Sequence, residues 1–447
     1  MTTSPQAQKL NDTILQHNPF IYSLLSHKGQ HAYFPKEGIV AQSAQAKNKK
    51  YNATIGVALD DNGEPLFLSA IQEKILLPPK DIYLYASSYG IPQLRQEWKK
   101  HIHHQNPSLN NTQLLSTQST TLISEPIIAN GLTHALQIIG QLFINKDDHI
   151  ILPDLFWGNY KLIFEHANHA QLITFPLFAE NKFNLSGLSQ TLNQQSPQKE
   201  QTNKKIILLN FPNNPTGYTP TVDEAKEIVH LLTKHAQTGN HLLVICDDAY
   251  FGFFYEPETY KESLFSLLSK AHPNILAVKI DGASKELYSW GLRVAFITYG
   301  SKNISSQTIT ALEEKTAGAL RGSISNASQL SQQLVLNALT NKNTAADQHH
   351  HFSLLQSRYR TIKTILNNPK YNIYFTPLPC NSGYFLCLKP TNGTAEQIRQ
   401  ILLEKYDTGV IAQNNLIRIA FSSLREDQIE QVIENIAHVC QEITKKE

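Results

Sequence analysis

The chain has 447 residues, 41% of them hydrophobic, so it can bury a large core and is too long for one simple domain. Its 39 basic and 37 acidic residues leave a net charge of +2, which excludes the strongly basic surface typical of nucleic-acid binding. Four scattered cysteines without a Cys-x-x-Cys pair, a polar N-terminus and no membrane-length apolar run predict a soluble cytoplasmic protein that lacks a zinc site, a signal peptide or a membrane anchor.

The first third of the chain begins with polar sequence and then gives weak, short elements. A weak helical pattern covers Asn11–Leu25, and a short strand near residue 51 leads to Gly56. This glycine either lets a substrate approach the backbone or simply forms a turn. A helical pattern at Ser69–Leu76 is followed by a hydroxyl-rich loop, after which Pro92 suits the first turn of a helix over Gln93–His104.

The next features are a helix start and a buried strand. Asn130 can cap a helix that Gly131 opens, and the N–H groups of such a first turn form an anion site. The alternative is a helix start without a ligand. The apolar run His149–Pro153 predicts a strand that leads to Trp157, either at the ligand edge of a sheet or as a core residue.

The middle of the chain alternates between connections and strong strand patterns. Lys182–Lys204 is rich in Gln and Ser and is interpreted as an exposed connection. A strand over Ile206–Asn210 enters a loop whose prolines hold Asn214 in one direction, and a helix follows at Val222–Gln237.

Two acidic residues follow the next strand, His241–Cys246. Asp247 comes directly after this apolar run and Tyr250 three residues later, so the two side chains can face one pocket. The alternative for Asp247 is a helix cap, for which aspartate is well suited.

The stretch Val278–Thr298 consists of two apolar runs with a polar insert, which predicts two buried strands joined by a loop. The loop carries Lys285, and Arg293 follows eight residues later. A lysine amine can form a Schiff base with an aldehyde cofactor, and a guanidinium can bind its phosphate through two hydrogen bonds. Taken alone, two ordinary surface cations would explain the pattern equally well.

The alternation of strands and helices over residues 127–298 predicts a mostly parallel sheet covered on both faces. Four candidate residues, Trp157, Asn214, Asp247 and Lys285, fall at the ends of its strands, where ligands bind in such sheets. Their coincidence on one edge favours a functional site over four unrelated surface residues.

The last third predicts a second, smaller unit. Helical patterns cover Thr308–Leu339 and Phe352–Asn367, strands lie within Tyr371–Leu388, and a helix spans Glu426–Lys446. We expect an N-terminal segment over 1–85, a large cofactor-binding domain over 86–340, and the rest of a small α+β domain over 341–447.

Three motifs resemble those of the class I/II pyridoxal-phosphate aminotransferases of fold type I. They are Asn210-Phe-Pro-Asn-Asn214-Pro-Thr-Gly217, Asp247-Asp-Ala-Tyr250, and Ser284-Lys285 with Arg293. The likeness runs from about Asn52 to the C-terminal helix, and Ile55-Gly56-Val57 with Trp157-Gly158-Asn159 is closest to aspartate and aromatic aminotransferases. It implies an α/β fold in which helices cover a mostly parallel, seven-stranded sheet, with a smaller α+β domain beside it.

The resemblance implies roles around pyridoxal 5′-phosphate. Lys285 would hold the cofactor as an internal aldimine and move the proton between the substrate Cα and the cofactor C4′. Asp247 would pair with the pyridinium nitrogen, Asn214 and Tyr250 would hydrogen-bond the ring oxygen, and Trp157 would stack on the ring.

The resemblance also implies a set of phosphate contacts and a homodimer. The phosphate would be bound by the N–H groups of Leu132 and Thr133, by Ser284 and Arg293, and by Tyr85 of a partner subunit. The two subunits would therefore share their active sites.

Substrate binding is implied for two arginines. Arg418 would bind the substrate α-carboxylate, and Arg321, from the partner subunit, would bind a side-chain carboxylate. Gly56, Trp157 and Asn214 would also line the substrate site. The implied reaction is transamination between aspartate, glutamate or an aromatic amino acid and a 2-oxo acid such as 2-oxoglutarate.

The sequence departs from the family pattern in places. Gly282 stands where many relatives carry a hydroxyl, so one phosphate contact is missing or comes from Ser284 or Ser325. Glu286 is an additional acid without an implied role, the first fifty residues have no counterpart, and His349–His351 is interpreted as a solvated helix face rather than a metal site.

Two other functions use the same residues. A fold-type-I lyase would release a keto acid and ammonia and would form no amino acid from added 2-oxoglutarate. A non-catalytic cofactor-binding regulator is disfavoured because the chain shows no DNA-binding segment and is nearly neutral.

Overall fold

A computed structural model describes residues 4–33, 38–110, 123–194 and 203–445. The strands, numbered in chain order, are β1 Tyr51–Asn52, β2 Ile127–Asn130, β3 His149–Pro153, β4 Gln171–Phe175, β5 Phe178–Ala179, β6 Lys182–Phe183, β7 Lys204–Asn210, β8 His241–Asp247, β9 Ile275–Gly282, β10 Val294–Gly300, β11 Phe375–Pro377, β12 Phe385–Pro390, β13 Thr408–Gly409, β14 Ile411–Gln413 and β15 Leu416–Ala420.

The α-helices are numbered in the same way. They are α1 Pro5–His17, α2 Pro19–Leu24, α3 His27–His31, α4 Ile39–Gln45, α5 Ser69–Gln72, α6 Pro79–Ile82, α7 Pro92–Gln105, α8 Gly131–Phe143, α9 Leu185–Asn193, α10 Val222–Gln237, α11 Leu264–Ala271, α12 Ala283–Glu286, α13 Ser306–Ser323, α14 Gln329–Thr340, α15 Thr344–Leu366, α16 Ala395–Lys405 and α17 Ile429–Thr444.

The larger sheet has seven strands within the described ranges, in the order β2-β10-β9-β8-β7-β3-β4. The strands from β9 to β4 are parallel, whereas β10 runs antiparallel to both of its neighbours. The predicted mostly parallel sheet is therefore confirmed. Asn210 pairs with Asp247 and Asp247 with Ile280, so the loops after β7, β8 and β9 leave the sheet at one edge.

The continuous apolar runs of these strands follow from burial on both faces. Along β7, Ile207 and Leu209 enter one core cluster while Ile206 and Leu208 enter another, because successive side chains point to opposite faces. Complete burial stabilises each such side chain by about 1.5–3 kcal/mol. The edge of the sheet at which the loops after β7, β8 and β9 leave therefore rests on a core that is packed on both faces.

A smaller antiparallel sheet has the order β11-β12-β15-β14. Within it, Arg418 on β15 lies between Cys387 on β12 and Ile411 on β14. The N-terminal strand β1 pairs with β13, and Ala420 donates its N–H to the carbonyl of Ala53. The segment after residue 50 is thereby joined to the C-terminal part of the chain, while the domain boundaries 1–85, 86–340 and 341–447 stay a prediction.

Three of the predicted elements differ in the structure. The stretch Thr308–Leu339 is not one helix but two, α13 and α14, because Ser325 adopts a left-handed backbone with φ of 69° between them. The supposed connection Lys182–Lys204 contains α9, which Asn184 caps and which buries Leu188 and Leu192. Residues 195–202 of that prediction lie outside the described ranges. The helix predicted at Ser69–Leu76 is only the short α5, ending at Gln72.

Several other boundaries agree with the patterns that predicted them. Pro92 occupies the first turn of α7, and α10 has the predicted bounds with a capping box between Thr221 and Glu224. Among the described residues, no helix combines the length and the apolar character that crossing a bilayer requires.

Candidate active site at the sheet edge

The loops after β7 and β8 are fixed to each other by an asparagine. The side chain of Asn210 donates to the carbonyl of Asp247 at 2.8 Å and accepts the N–H of Asn214 at 2.9 Å. The residue that ends one strand therefore sets the position of a site residue on each loop.

Asp247 is a buried carboxylate with polar but uncharged hydrogen-bond donors. Tyr160 donates its hydroxyl to Oδ2 at 2.6 Å, and the N–H of Ala249 donates to Oδ1 at 3.1 Å. Burial raises the pKa of Asp247 to about 6, although the Tyr160 and Ala249 hydrogen bonds and the charge of Lys285 act in the opposite direction. This is an anionic site that a cationic group of a ligand would stabilise.

Tyr160 is a site residue that the sequence patterns missed. It lies three residues after Trp157, and their rings meet edge to face with centroids 5.6 Å apart. The Trp-x-x-Tyr spacing places both rings on one side of a helical turn, which is the signal that could have identified it.

Lys285 lies on the short helix α12, directly after β9. Burial lowers its pKa to about 8, with Asp247 opposing and Arg293 adding to that shift. Its Nζ lies 4.9 Å from the ring centroid of Tyr250. A substantial fraction of this amine is therefore uncharged near neutral pH and able to act as a nucleophile.

Arg418 is a buried cation for which the described residues offer no carboxylate partner. Its Nη1 donates to Oδ1 of Asn214 at 3.0 Å and its Nη2 to the carbonyl of Thr54 at 2.9 Å. The guanidinium carbon lies 4.3 Å from the ring centroid of Phe385, and Nε is buried without a hydrogen-bond partner. Burial lowers the pKa of Arg418, and a substrate carboxylate would compensate that cost.

Tyr250 and Gly56 form the wall between Lys285 and Arg418. A Cβ at Gly56 would lie 3.2 Å from the hydroxyl of Tyr250 and equally close to Cζ of Phe385. Glycine thus permits Tyr250 and Phe385 to pack closely against the backbone, while the approach of a substrate to Gly56 stays a prediction. Burial raises the pKa of Tyr250 well above its ordinary value, so this phenol stays protonated at neutral pH.

A second group of residues surrounds the start of α8. Gly131 has φ of 79°, and a Cβ there would lie only 2.2 Å from Nη2 of Arg293. The guanidinium therefore lies directly over the first helical turn, which carries the N–H groups of Leu132 and Thr133. The hydroxyl of Ser284 is buried and has no hydrogen-bond partner among the described residues. Backbone N–H groups at a helix start, a guanidinium and a hydroxyl are donors of the kind that bind a phosphate group.

The predicted capping of α8 by Asn130 is wrong. Asn130 occupies the N-cap position, but its side chain makes no capping hydrogen bond, and its own N–H donates to Nδ1 of His134 at 3.1 Å. The first turn consequently keeps its N–H groups available for an anion.

The structure explains the glycine at position 282. A Cβ on Gly282 would lie 2.7 Å from the carbonyl oxygen of Val294, so β10 leaves no space for a side chain there. Of the two hydroxyls expected to compensate, Ser284 is buried without a partner, whereas Ser325 accepts a hydrogen bond from Arg321 at 3.2 Å.

The structure does not bring two of the predicted residues into this cluster. The side chain of Tyr85 is 94% exposed, and Arg321 is exposed as well. Within the described part of this chain, neither contacts Lys285 or Asp247. Their predicted roles therefore stay a prediction.

Comparison with known proteins agrees with this geometry. A family described as aminotransferase class I and II matches residues 48–436. The aspartate aminotransferase of Sulfurisphaera tokodaii is 27% identical over 221 residues, which cover 49% of this chain and 48% of that protein. The LL-diaminopimelate aminotransferase of Methanococcus maripaludis is 30% identical over 179 residues, or 39% of this chain and 38% of its own. The chain thus spans half or less of the length of these curated relatives.

Solved structures show the same fold over nearly the whole chain. An aminotransferase from Anaerococcus prevotii has a TM-score of 0.77 at 22% identity and covers 91% of this chain and 97% of its own. A mutant of the aspartate aminotransferase of Thermus thermophilus has a TM-score of 0.72 at 18% identity and covers 93% and 99%. This likeness confirms the predicted fold class.

Proposed function

From the premise that this chain belongs to the class I and II aminotransferases, we propose that it transfers an amino group between an L-amino acid and a 2-oxo acid with pyridoxal 5′-phosphate. One observation carries the proposal: an amine of lowered pKa and a buried, unpaired cation share one wall of the site. Tyr250 lies next to both groups. Lys285 Nζ lies 4.9 Å from the centroid of its ring, and the charge of Arg418 opposes the rise in the Tyr250 pKa that burial causes.

The residues present fit this cofactor. Arg293, the start of α8 and the hydroxyl of Ser284, which has no hydrogen-bond partner among the described residues, offer donors for a phosphate, and Gly131 leaves room for the Arg293 guanidinium. Asp247 offers a buried anion of the kind that a protonated pyridine nitrogen requires. Pyridoxal 5′-phosphate would supply an aldehyde that accepts the amino group and a conjugated ring that takes up the electrons released at the substrate Cα.

We assign a separate role to each of the chain's own residues in this site. Lys285 would hold the cofactor and move the proton between the substrate Cα and C4′ of the cofactor. Asp247, oriented by Tyr160, would hold the proton on the ring nitrogen. Asn214 and Tyr250 would hydrogen-bond the ring oxygen, and Trp157 would pack against the ring. The N–H groups of Leu132 and Thr133, Ser284 and Arg293 would bind the phosphate.

Arg418 binds the α-carboxylate of the substrate, because it is the buried guanidinium on this wall and lacks a carboxylate partner in the described chain. Aspartate, glutamate or an aromatic amino acid is the proposed donor, with 2-oxoglutarate as acceptor. The names of the relatives, aspartate and LL-diaminopimelate aminotransferases, favour a substrate with a second carboxylate. We assign that carboxylate to Arg321 of a second copy.

These assignments imply a homodimer with shared active sites. Large apolar side chains are exposed close together in sequence: Ile75 61%, Leu76 91%, Tyr83 80%, Leu84 64% and Tyr85 94%. Such a patch marks a protein interface. A second copy that covers it would also receive Tyr85 at its phosphate site. Mixing Lys285→Ala and Tyr85→Ala chains should then give activity above that of either parent, whereas no gain would refute site sharing.

The transamination is tested on purified protein loaded with pyridoxal 5′-phosphate. L-Aspartate, L-glutamate, L-tyrosine and L-alanine are added separately, and the visible absorbance of the bound cofactor is followed. We expect loss of that band with one or more donors and its return with 2-oxoglutarate, together with formation of glutamate from the non-glutamate donors. A keto acid and ammonia without a new amino acid would instead identify a lyase.

A further inference from the structure

Glu286, the acid without an implied role, connects the lysine helix to a neighbouring helix. Its Oε1 accepts hydrogen bonds from Nε2 of His101 and from Nε2 of Gln105, both on the last turns of α7. Glu286 is 9% exposed, and the Oε1 atom of Gln105 is buried without a partner in the described residues. The carboxylate is therefore the group that orients the Gln105 amide.

The helix α12 cannot hold Lys285 in place by itself. It has four residues, and an isolated helix of that length is unstable in water. The following turn depends on three hydrogen bonds of 3.0–3.1 Å, made by the N–H groups of Leu287, Tyr288 and Ser289. The orientation of Lys285 must come from tertiary contacts of this segment.

Three buried charged residues on and next to β9 lie close to this contact. Lys279 on β9 is fully buried and lies 2.5 Å from Asp248 and 3.3 Å from Asp281. The indole N–H of Trp98 on α7 lies 3.2 Å from both oxygens of Asp281. The same helix thus contacts the strand before Lys285 through Trp98 and the residue after Lys285 through His101.

We propose that Glu286 is a positioning residue, which with His101 and Gln105 clamps α12 to α7 and so holds the amine of Lys285 toward Asp247. The inference rests on the proposed function of Lys285. It extends that function to the contact between α12 and α7. Burial and Lys279 lower the pKa of His101, but Glu286 and Asp281 together raise it above its ordinary value.

The first measurement is amide hydrogen exchange of the cofactor-free protein, read over residues 283–289. The variants are Glu286→Gln, His101→Gln and the double variant, and Lys99→Met is the control. Lys99 lies on the same helix but pairs with Glu125 at 2.9 Å, away from α12. We expect exchange over 283–289 to accelerate at least about tenfold in Glu286→Gln, which weakens both contacts, and less in His101→Gln, which leaves the Gln105 contact in place. The double variant should exchange no faster than Glu286→Gln, because the two changes remove the same His101–Glu286 contact.

Two results would overturn the clamp. One is unchanged exchange over 283–289 in Glu286→Gln. The other is acceleration that extends equally through β8, which would mean general destabilisation. The second variant, His101→Gln, leaves Glu286 in place, so poor folding of one variant does not end the test.

Steady-state kinetics of the loaded enzyme separate positioning from substrate binding. We expect Glu286→Gln to lower kcat about tenfold with KM within about twofold, because the clamp acts on Lys285 and not on Arg418. A raised KM with unchanged kcat would refute the positioning role. If the wild-type chain performed no transamination, the proposed function would fail, while the exchange comparison would still decide whether Glu286 clamps α12.

Discussion

Two lysines six residues apart, Lys279 and Lys285, have pKa values that are shifted in opposite directions, although burial lowers both. Lys279 is fully buried, yet Asp248 and Asp281 raise its pKa above the ordinary value. Lys285 keeps part of its surface exposed, but its amine is surrounded by protein, which lowers its pKa to about 8. The difference lies in the partners, because Lys279 has two carboxylates within 3.3 Å and Lys285 is paired with none in the described chain.

The adjacent aspartates show the same contrast. Asp248 forms an ion pair with Lys279 at 2.5 Å, whereas Asp247 receives only neutral donors. Alternation along β8 and β9 places Asp247 on one side of the sheet and Lys279 on the other. One side keeps its charges compensated for stability, and the other leaves them available to a ligand. Substitutions should therefore lower mainly the activity on the uncompensated side and mainly the stability on the compensated side.

The largest effect is expected on the uncompensated side. Lys285→Ala removes the nucleophile and the group that moves the proton, so kcat should fall by about 10³–10⁴-fold or more. The midpoint of thermal unfolding should change little, because no ion pair is lost. Turnover with amino acid and 2-oxo acid measures the first, and calorimetry the second. Normal turnover by this variant would refute the mechanism.

Lys279→Met should give the opposite result. Removing the cation leaves Asp248 and Asp281 buried without their charge partner, which costs about 3–5 kcal/mol of unfolding free energy. Urea denaturation measures this loss. Adding Asp248→Asn should recover part of it, since the uncompensated charge is then removed. An unchanged midpoint would contradict the assignment of this pair as structural.

The lowered pKa of Lys285 predicts the pH dependence of the cofactor-free protein. Labelling of Lys285 by an amine-directed reagent, followed by mass spectrometry, should have its midpoint near pH 8 rather than 10.5. Between these values the folded chain binds fewer protons than the unfolded chain, so this group makes folding more favourable as the pH rises from about 8 to 10.5. A midpoint near 10.5 would show that the amine is not desolvated.

Two buried arginines, Arg358 on α15 and Arg418 on β15, show the same contrast between a compensated and an uncompensated charge. Arg358 is buried but compensated, with Asp61 at 2.9 Å and two carbonyls as acceptors, whereas Arg418 has only neutral partners. Arg418→Lys cannot bind a carboxylate through two parallel hydrogen bonds and should lose about 2–3 kcal/mol, roughly 100-fold in kcat/KM. Arg358→Lys should instead lower stability. Unchanged kcat/KM for Arg418→Lys would exclude it from substrate binding.

The sequence predicted the sheet and its ligand edge because both depend on local patterns. The apolar runs before Asn210, Asp247 and Gly282 identify strands, and the polar residue after each run identifies the edge. Local patterns do not predict which groups Glu286 and Tyr160 contact, because their partners, His101 on α7 and Asp247 on β8, lie 185 and 87 residues away in sequence. Pattern alone also could not show that Ser325 adopts a left-handed backbone that divides one predicted helix into two.

The smallest effect is expected from the hydroxyl that orients Asp247. Tyr160→Phe removes a 2.6 Å hydrogen bond that lowers the pKa of this carboxyl, so the pKa should rise above about 6 and the anion should weaken as a partner for the cofactor nitrogen. A hydrogen bond to a charged group contributes about 1.5–3 kcal/mol, which sets an upper bound of roughly 10–100-fold on kcat. The loss should be greatest between the wild-type pKa of about 6 and the raised pKa of the variant, where wild-type Asp247 is ionised and the variant is still partly protonated, and it should shrink at higher pH, where both are ionised. Tyr299→Phe is the matched control, since its buried hydroxyl on the same core face contacts Thr316 at 2.6 Å and not Asp247. Equal pH profiles for Tyr160→Phe and the wild type would show that Asp247 holds its charge without this tyrosine.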